Sequence, residues 1–253
     1  MIRLIYQEEA FIIARDGVMF EKEIKSKYLN ETLALKFYQP EELDLIYETN
    51  VCIMQDGNDY FNLGKVATIS DKLHDELDIT NTIFIGIHYI DRFDRRDKYH
   101  PEGEKYENYK KFLVNEVIPF VTEELPINPL GEKWTLMGDS LAGTLAFLTA
   151  IENQHLFDNI IMQSPLVNDF VIESAKQLSS NTDLEVYHTI GLKETDVGTT
   201  ADGKIDFVTP NQKLHEVLDS KNLIYHYYEF PEGIHTWKYW QQDLPHALSV
   251  IFN

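Results

Sequence analysis

Trp134-Thr-Leu-Met-Gly-Asp-Ser-Leu-Ala-Gly143 is the stretch of this chain that decides the fold. It predicts a short apolar strand, a Gly-x-Ser turn and then a helix of small and apolar residues. This arrangement is typical of a nucleophile elbow, a sharp strand-to-helix turn that exposes a serine hydroxyl above the edge of a sheet. The strained backbone of such a turn needs small neighbours, and Gly138, Ala142 and Gly143 are small. The stretch therefore makes Ser140 a candidate nucleophile.

The motif departs from its usual form at one position. A nucleophile elbow commonly reads Gly-x-Ser-x-Gly, but here Ala142 takes the place of the last glycine and Gly143 follows it. A serine at a strand–helix junction can also act only as an N-cap, because its hydroxyl accepts a backbone N–H of the first helical turn. This stretch by itself leaves both interpretations of Ser140 open.

Composition excludes several classes of protein. The chain has 253 residues and a formal net charge of −20, which disfavours nucleic acids and anionic membranes as partners, since both attract clustered cations. It has no run of about 18 apolar residues for a membrane-spanning helix, and the N-terminus lacks the apolar core of a signal peptide. The lone cysteine, Cys52, excludes an intramolecular disulfide and is expected to be a buried thiol.

No Cys/His spacing typical of a metal site occurs. From composition and spacing we therefore expect a cytoplasmic protein with no metal, no cofactor and no nucleic-acid or membrane partner. The reactive side chains described below predict, in addition, a small-molecule substrate. The sequence carries no signal for an oligomeric state.

Strand and helix signals alternate along the chain. Apolar runs predict strands at 32–38, 51–54, 82–87, 134–137, 159–162, 184–190 and 223–230. Helical signals predict helices at 64–77, 105–125, 168–180, 207–220 and 237–252. This alternation predicts an α/β fold whose mostly parallel sheet carries helices on both faces.

Other segments complete the predicted fold. Residues 1–26 predict an N-terminal antiparallel hairpin around Asp16-Gly17. The mixed-charge segment Asp91–Lys98 is interpreted as a loop, and Pro245 is expected to bend or interrupt the last helix. Neither a linker nor a repeat divides the chain, so we expect a single domain over residues 1–253.

Reactive side chains follow three of the predicted strands. Ser140 follows the strand 134–137, the carboxylates Glu194 and Asp196 follow 184–190, and His235 follows 223–230. Parallel sheets bind ligands at the carboxyl ends of their strands, and the order Ser, acid, His is that of the α/β-hydrolase triad. The histidine would take the serine proton and the carboxylate would orient the imidazole. A solvated loop carboxylate is the alternative for either acid, so the choice between them stays open.

Acyl transfer also needs an oxyanion hole, a set of N–H groups aimed at the developing negative charge. One donor is expected to be the N–H of Leu141, directly after the serine. The other is expected from the Asp56-Gly57 turn that follows the strand 51–54, with the N–H of Asn58 as the candidate. A plain Asp-Gly turn with no functional role is the alternative.

These pieces together resemble the esterase group of α/β-hydrolases, which includes enterochelin esterases, feruloyl esterase modules, esterase D-like enzymes and mycolyltransferases. The resemblance runs from about residue 26 to 245. Its motifs are the Asp56-Gly57 turn, Arg95 or Arg96 before Tyr99-His-Pro101, Gly138–Gly143, Gly191-Leu-Lys-Glu194, and Gly233-Ile-His235-Thr-Trp237 with Trp240.

The resemblance implies an α/β-hydrolase fold and ester chemistry. It implies Ser140 as the nucleophile, His235 as the base, and Asn58 and Leu141 as oxyanion donors, and it favours Glu194 over Asp196 as the acid. The chain departs from the group at Ala142 and in its long loop 194–206.

We therefore predict a serine carboxylesterase that works through an acyl-enzyme. A siderophore-lactone esterase or an acyltransferase on the same fold is one alternative, and a non-catalytic binding or scaffold protein with a hydrolase fold is another. The substrate pocket is expected from loops 58–64, 89–104, 164–170 and 194–206, whose aromatic residues and arginines suit an apolar, aromatic or anionic group.

Overall fold

Strands of five to eight residues, rich in buried side chains, form the centre of one eight-stranded sheet. The structure, a computed structural model, describes residues 16–41, 43, 48–125, 131–179, 182–200 and 203–253. The strands are β1 Val18–Ser26, β2 Glu31–Gln39, β3 Thr49–Met54, β4 Thr82–Ile87, β5 Glu132–Asp139, β6 Asn159–Gln163, β7 Glu185–Gly191, β8 Val197–Gly198, β9 Lys204–Ile205 and β10 Ile224–Phe230. Strands β8 and β9 form a separate two-stranded ribbon.

The main sheet has the order β1-β2-β4-β3-β5-β6-β7-β10. Strands β1 and β2 pair antiparallel, as do β2 and β4, whereas every pair from β4 to β10 is parallel. All residues of β3 and β4 are buried, as expected for strands covered on both faces. The predicted α/β-hydrolase fold, a mostly parallel sheet with an N-terminal antiparallel hairpin, is confirmed.

The hairpin differs in its turn from the one expected. It joins β1 to β2 through residues 27–30, where Asn30 takes a left-handed conformation with φ of 55°. The strand predicted before Asp16-Gly17 lies outside the described residues.

Helices cover both faces of the sheet. They are α1 Gly57–Asn62, α2 Val66–Asp75, α3 Arg92–Tyr99, α4 Tyr106–Phe112, α5 Ile118–Glu124, α6 Ser140–Glu152, α7 Asp169–Gln177, α8 Val208–Asp219 and α9 Trp237–Phe252, with a π-helical turn at Leu113–Val117. In β3 alternate side chains enter opposite layers: Val51 packs in one core, and Cys52 in the other, with the α2 and α9 side chains. Cys52 is fully buried, and burial raises the pKa of its thiol.

Three helical segments differ from their predictions. Residues 92–99 form α3 rather than a loop, because the Asp91 carboxylate caps the N–H groups of Phe93 and Asp94 at 2.8 and 3.0 Å. The predicted helix 105–125 contains a π-helical turn, in which the Ile118 N–H bonds to Leu113 O just before Pro119, a residue without an N–H.

Of the two outcomes expected at Pro245, the interruption does not occur, because α9 continues through it with the buried residues Leu244 and Leu248 on either side. Their packing in the core favours continuation of the helix. Among the residues that the structure describes, no helix is long and apolar enough to cross a membrane.

A four-charge network joins the hairpin to α3 and α4. The Lys98 ammonium, 2% exposed, lies 2.8 Å from both Glu31 and Asp94, and Lys105 contacts the same two carboxylates at 2.5 and 3.1 Å. Burial alone would raise the pKa values of Glu31 and Asp94, but hydrogen bonds and charge from the two lysines outweigh it and hold both pKa values below the ordinary 4.5 and 3.8.

We predict that Lys98→Met lowers the free energy of unfolding by about 3 kcal/mol, because it leaves two poorly solvated carboxylates with one cation. The lowered carboxyl pKa values stabilise the fold above the unfolded-state pKa, and this contribution is lost as the pH falls below about 4. Chemical denaturation should show that the free energy of unfolding falls less between pH 7 and pH 3 in the variant than in the native protein. The control Lys72→Met removes an exposed 3.7 Å pair with Glu76 and should cost under about 1 kcal/mol. Equal losses in the two variants would contradict the prediction.

Candidate active site

The strand-to-helix junction at Ser140 has the geometry of a nucleophile elbow. Strand β5 ends at Asp139, and Ser140 begins α6 in a left-handed conformation with φ of 51°, a strained backbone for a non-glycine residue. The N-cap of α6 is Asp139, whose side chain makes no capping bond, and the Ser140 hydroxyl points instead to a histidine. The alternative in which Ser140 only caps the helix does not fit this arrangement.

Close packing explains which small residues the elbow needs. A Cβ atom on Gly138 would lie 2.3 Å from the carbonyl carbon of Ala142, so a side chain has no space there. Ala142, in contrast, is fully buried and its methyl group is accommodated. The missing last glycine of the motif therefore does not distort the turn.

The structure brings Ser140, His235 and Glu194 together at the carboxyl edge of the sheet. Ser140 Oγ lies 2.9 Å from His235 Nε2, and His235 Nδ1 lies 2.6 Å from Glu194 Oε2. With its proton on Nδ1, the imidazole donates to Glu194 and accepts from Ser140. The three residues follow the ends of β5, β10 and β7, which are positions that the sequence singled out.

Glu194 is buried, and Oε1, the carboxylate oxygen that does not contact His235, accepts two hydrogen bonds. Oε1 accepts the Gly191 N–H at 3.0 Å and the Ser164 hydroxyl at 2.7 Å, while the Trp240 indole N–H donates to Ser164 Oγ at 3.1 Å. These donors fix the carboxylate and leave Oε2 to the imidazole. The sequence prediction missed Ser164; its signal is a polar side chain directly after the buried strand β6, which ends at Gln163.

Two glycines bring the acid and histidine loops together. A Cβ atom on Gly191 would lie 2.5 Å from the carbonyl carbon of Gly233 and 2.6 Å from Glu194 Oε1. The Lys193 N–H also donates to Gly233 O at 2.9 Å. The close backbone approach places the Glu194 and His235 side chains within reach of each other.

Asp196, the other candidate acid, lies elsewhere. Its carboxylate is exposed and pairs with Lys204 at 2.5 Å across the β8–β9 ribbon. The His235 imidazole is flanked by the rings of Phe207 and Trp240, with centroid distances of 4.5 and 4.9 Å. The geometry therefore pairs His235 with Glu194.

The two candidate oxyanion donors lie in the first turns of two helices. Leu141 is the second residue of α6 and Asn58 the second residue of α1, positions whose N–H groups have no acceptor within their own helix. The Asn58 side chain accepts a hydrogen bond from Lys36 Nζ at 2.8 Å. This contact fixes the side-chain oxygen of Asn58.

Arg95 connects the Asp56 turn to the elbow. Its Nε and Nη2 donate to Asp56 Oδ2 at 2.9 and 2.6 Å, and Nη2 lies 3.5 Å from the backbone oxygen of Asp139. Burial and the charge of Asp56 raise the pKa of the Asp139 carboxyl well above its ordinary value, although Arg95 opposes this. Arg95 therefore links the turn that carries Asn58 to the elbow that carries Ser140.

A pocket of about 90 Å³ opens beside Ser140. Lining residues come from three of the expected segments, 89–104, 164–170 and 194–206, and also from the elbow and Phe207, whereas the expected segment 58–64 contributes none. The lining residues are Arg95, Arg96, His100, Ser140, Leu141, Leu166, Gly198, Thr199, Thr200 and Phe207. Within the described ranges, no group of three or more His, Cys, Asp or Glu side chains is placed to hold a metal ion.

The sheet order and the position of the site at its carboxyl edge define an α/β-hydrolase. Residues 26–251 match the sequence model of the family described as "Putative esterase", and the chain belongs to this family. It is thus an esterase-type hydrolase.

The chain is also similar to individual known proteins. The Bacillus subtilis (strain 168) protein named "Uncharacterized protein YjcH" is 42% identical over 237 residues, which cover 94% of this chain and 98% of the relative. The BES protein from Bacillus cereus has a similar fold, with a TM-score of 0.77, 20% identity and full coverage of both chains. The enterobactin esterase FES from Shigella flexneri gives a TM-score of 0.74 at 16% identity, over 92% of this chain and 58% of that one.

We predict that Gly138→Ala lowers the free energy of unfolding by about 3 kcal/mol, because its methyl group would meet the α6 backbone. Ala142→Gly should cost only about 1 kcal/mol, the usual helix penalty of glycine. Urea denaturation of both variants provides the measurement. A Gly138→Ala protein as stable as the Ala142→Gly protein would mean that the elbow is not closely packed.

Proposed function

We propose that this protein is a serine carboxylesterase that hydrolyses esters through an acyl-enzyme. The observation that carries the proposal is the hydrogen-bonded series Ser140–His235–Glu194, with distances of 2.9 and 2.6 Å. Membership of an esterase family and an elbow with Ser140 at φ of 51° support the same chemistry.

The proposed reaction begins with proton transfer from the serine. His235 Nε2 takes the Ser140 proton as Oγ attacks the ester carbonyl carbon, and the carbonyl electrons move onto the oxygen. When the tetrahedral intermediate collapses, His235 gives this proton to the leaving alcohol. Water then attacks the acyl-enzyme with His235 again as base, and the acid product leaves as Ser140 regains its proton.

Glu194 orients the imidazole and stabilises its protonated form. Because Oε1 is held by Gly191 and Ser164, Oε2 stays aligned with Nδ1 and keeps Nε2 toward the serine. We assign the developing oxyanion to the N–H groups of Leu141 and Asn58, which have no acceptor within their own helices.

Replacement of the nucleophile tests the proposal directly. Ser140→Ala should lower kcat on 4-nitrophenyl acetate by about 10⁶-fold, because no other group forms the acyl-enzyme. Labelling by a fluorophosphonate probe should be lost in the variant and in the heat-denatured protein. Turnover by Ser140→Ala near the native rate would disprove the assignment, and a folded native protein that neither turns over nor labels would favour a non-catalytic role.

Replacement of the acid tests the triad separately. Glu194→Gln should lower kcat by up to about 10⁴-fold, because it removes the carboxylate that fixes and stabilises the imidazole. The matched control is Asp196→Asn, two residues away in the same loop, which removes only an exposed pair with Lys204. The measurement is kcat of both variants in the steady state. If Asp196→Asn lowers kcat more than Glu194→Gln does, the acid is Asp196.

A further inference from the structure

The pocket beside Ser140 has a cationic wall formed by two consecutive arginines of α3. Arg95 and Arg96 both line the pocket. The charge of Arg95 is already balanced, because Asp56 Oδ2 accepts hydrogen bonds from its Nε and Nη2 at 2.9 and 2.6 Å. Arg95 therefore has little capacity for a further anion.

Arg96 differs from its neighbour in this respect. Its ion pair with Glu102 spans 4.0 Å, and the Glu102 side chain is 81% exposed while that of Arg96 is 29% exposed. A long pair with a well-solvated carboxylate contributes little and is easily exchanged. A partly buried guanidinium with so weak a partner is available to a ligand in the pocket.

Other charges near the pocket do not offset that of Arg96. Of the described residues that line it, none is a carboxylate. Glu194 is committed to His235, Gly191 and Ser164, and Asp139 is not among the residues that line the pocket. The pocket is therefore locally cationic in a chain of net charge −20.

A positive charge in the pocket favours an anionic ligand there, although the net negative charge of the whole protein repels anions. A neutral ester needs no cation in its binding pocket, whereas a carboxylate needs one to offset its desolvation. Guanidinium is suited to this task, since its planar fork donates two parallel hydrogen bonds to a carboxylate. Leu141, Leu166 and Phe207 also line the pocket and provide apolar contact for a short linker.

We propose that the site selects esters that carry a carboxylate within a few bonds of the scissile carbonyl, and that the Arg96 guanidinium binds this carboxylate. The proposal rests on the proposed esterase function. The carboxylate belongs either to the acyl part, as in a half ester of a short dicarboxylic acid, or to the alcohol part. The chemistry of recognition is the same in both cases.

Two pairs of probe esters separate these sources. The acyl pair is 4-nitrophenyl hemisuccinate and 4-nitrophenyl butyrate, and the alcohol pair is 3-carboxyphenyl butyrate and phenyl butyrate. For each pair the measured quantity is the ratio of kcat/KM for the anionic ester to kcat/KM for the neutral ester. In at least one pair Arg96→Gln should lower this ratio by about 10- to 100-fold, Arg96→Lys by less, and Arg96→Glu by more.

Arg92→Gln is the matched control, because Arg92 lies on the same helix with its guanidinium 4.8 Å from the Phe93 ring centroid and is not among the pocket-lining residues. This variant should leave both ratios within about twofold of the native values. In the native protein, high salt should lower the ratio, because it screens the attraction between Arg96 and the carboxylate. Unchanged ratios in Arg96→Gln, or equal changes in Arg92→Gln, would overturn the assignment.

Failure of the esterase function itself would look different. The native protein would then turn over none of the four esters, or the Ser140→Ala variant would retain the activity. Protection against fluorophosphonate labelling gives a second measurement for variants with low turnover. Succinate should slow labelling of the native protein and not of Arg96→Gln, and equal protection of both proteins would count against the proposal.

Discussion

The contact on which the site depends is the 2.6 Å hydrogen bond between Glu194 Oε2 and His235 Nδ1. It joins the loops after β7 and β10, and it forms only because Gly191 and Gly233 let the two backbones approach closely. The Glu194 carboxylate is buried, so loss of any donor around it would leave a poorly solvated charge. Its other partners, Gly191 and Ser164, therefore position the imidazole through the carboxylate.

A second electrostatic contact lies beside Ser140. Arg95 binds the Asp56 carboxylate and approaches the carbonyl oxygen of Asp139, and it thereby connects the turn that carries Asn58 to the elbow that carries Ser140. Arg95 and Asp56 thus pair two poorly solvated charges beside the serine, as their desolvation requires. Arg96 is the exception at the pocket, with only a long contact to an exposed glutamate.

The strands were predictable because burial on both faces leaves a strong signal in the sequence. The run 82–87 matches β4, and the other predicted strands of the main sheet match their observed bounds to within two residues. Local polar contacts were harder to foresee. The charged segment after Asp91 has little apolar periodicity, yet side-chain capping and the Asp94–Lys98 pair stabilise a helix there.

The sequence by itself determined the order of the elements and the candidates for the chemistry: a serine on a tight turn, two acids and a histidine, each after a strand. The resemblance to esterases favoured Glu194, but the residues alone could not choose between Glu194 and Asp196, which are two positions apart in one loop. The tertiary structure places Glu194, and not Asp196, against His235, because the β8–β9 ribbon pairs Asp196 with Lys204 in solvent while Gly191 and Ser164 hold Glu194 beside the imidazole. Such contacts join residues distant in sequence, and no local pattern records them.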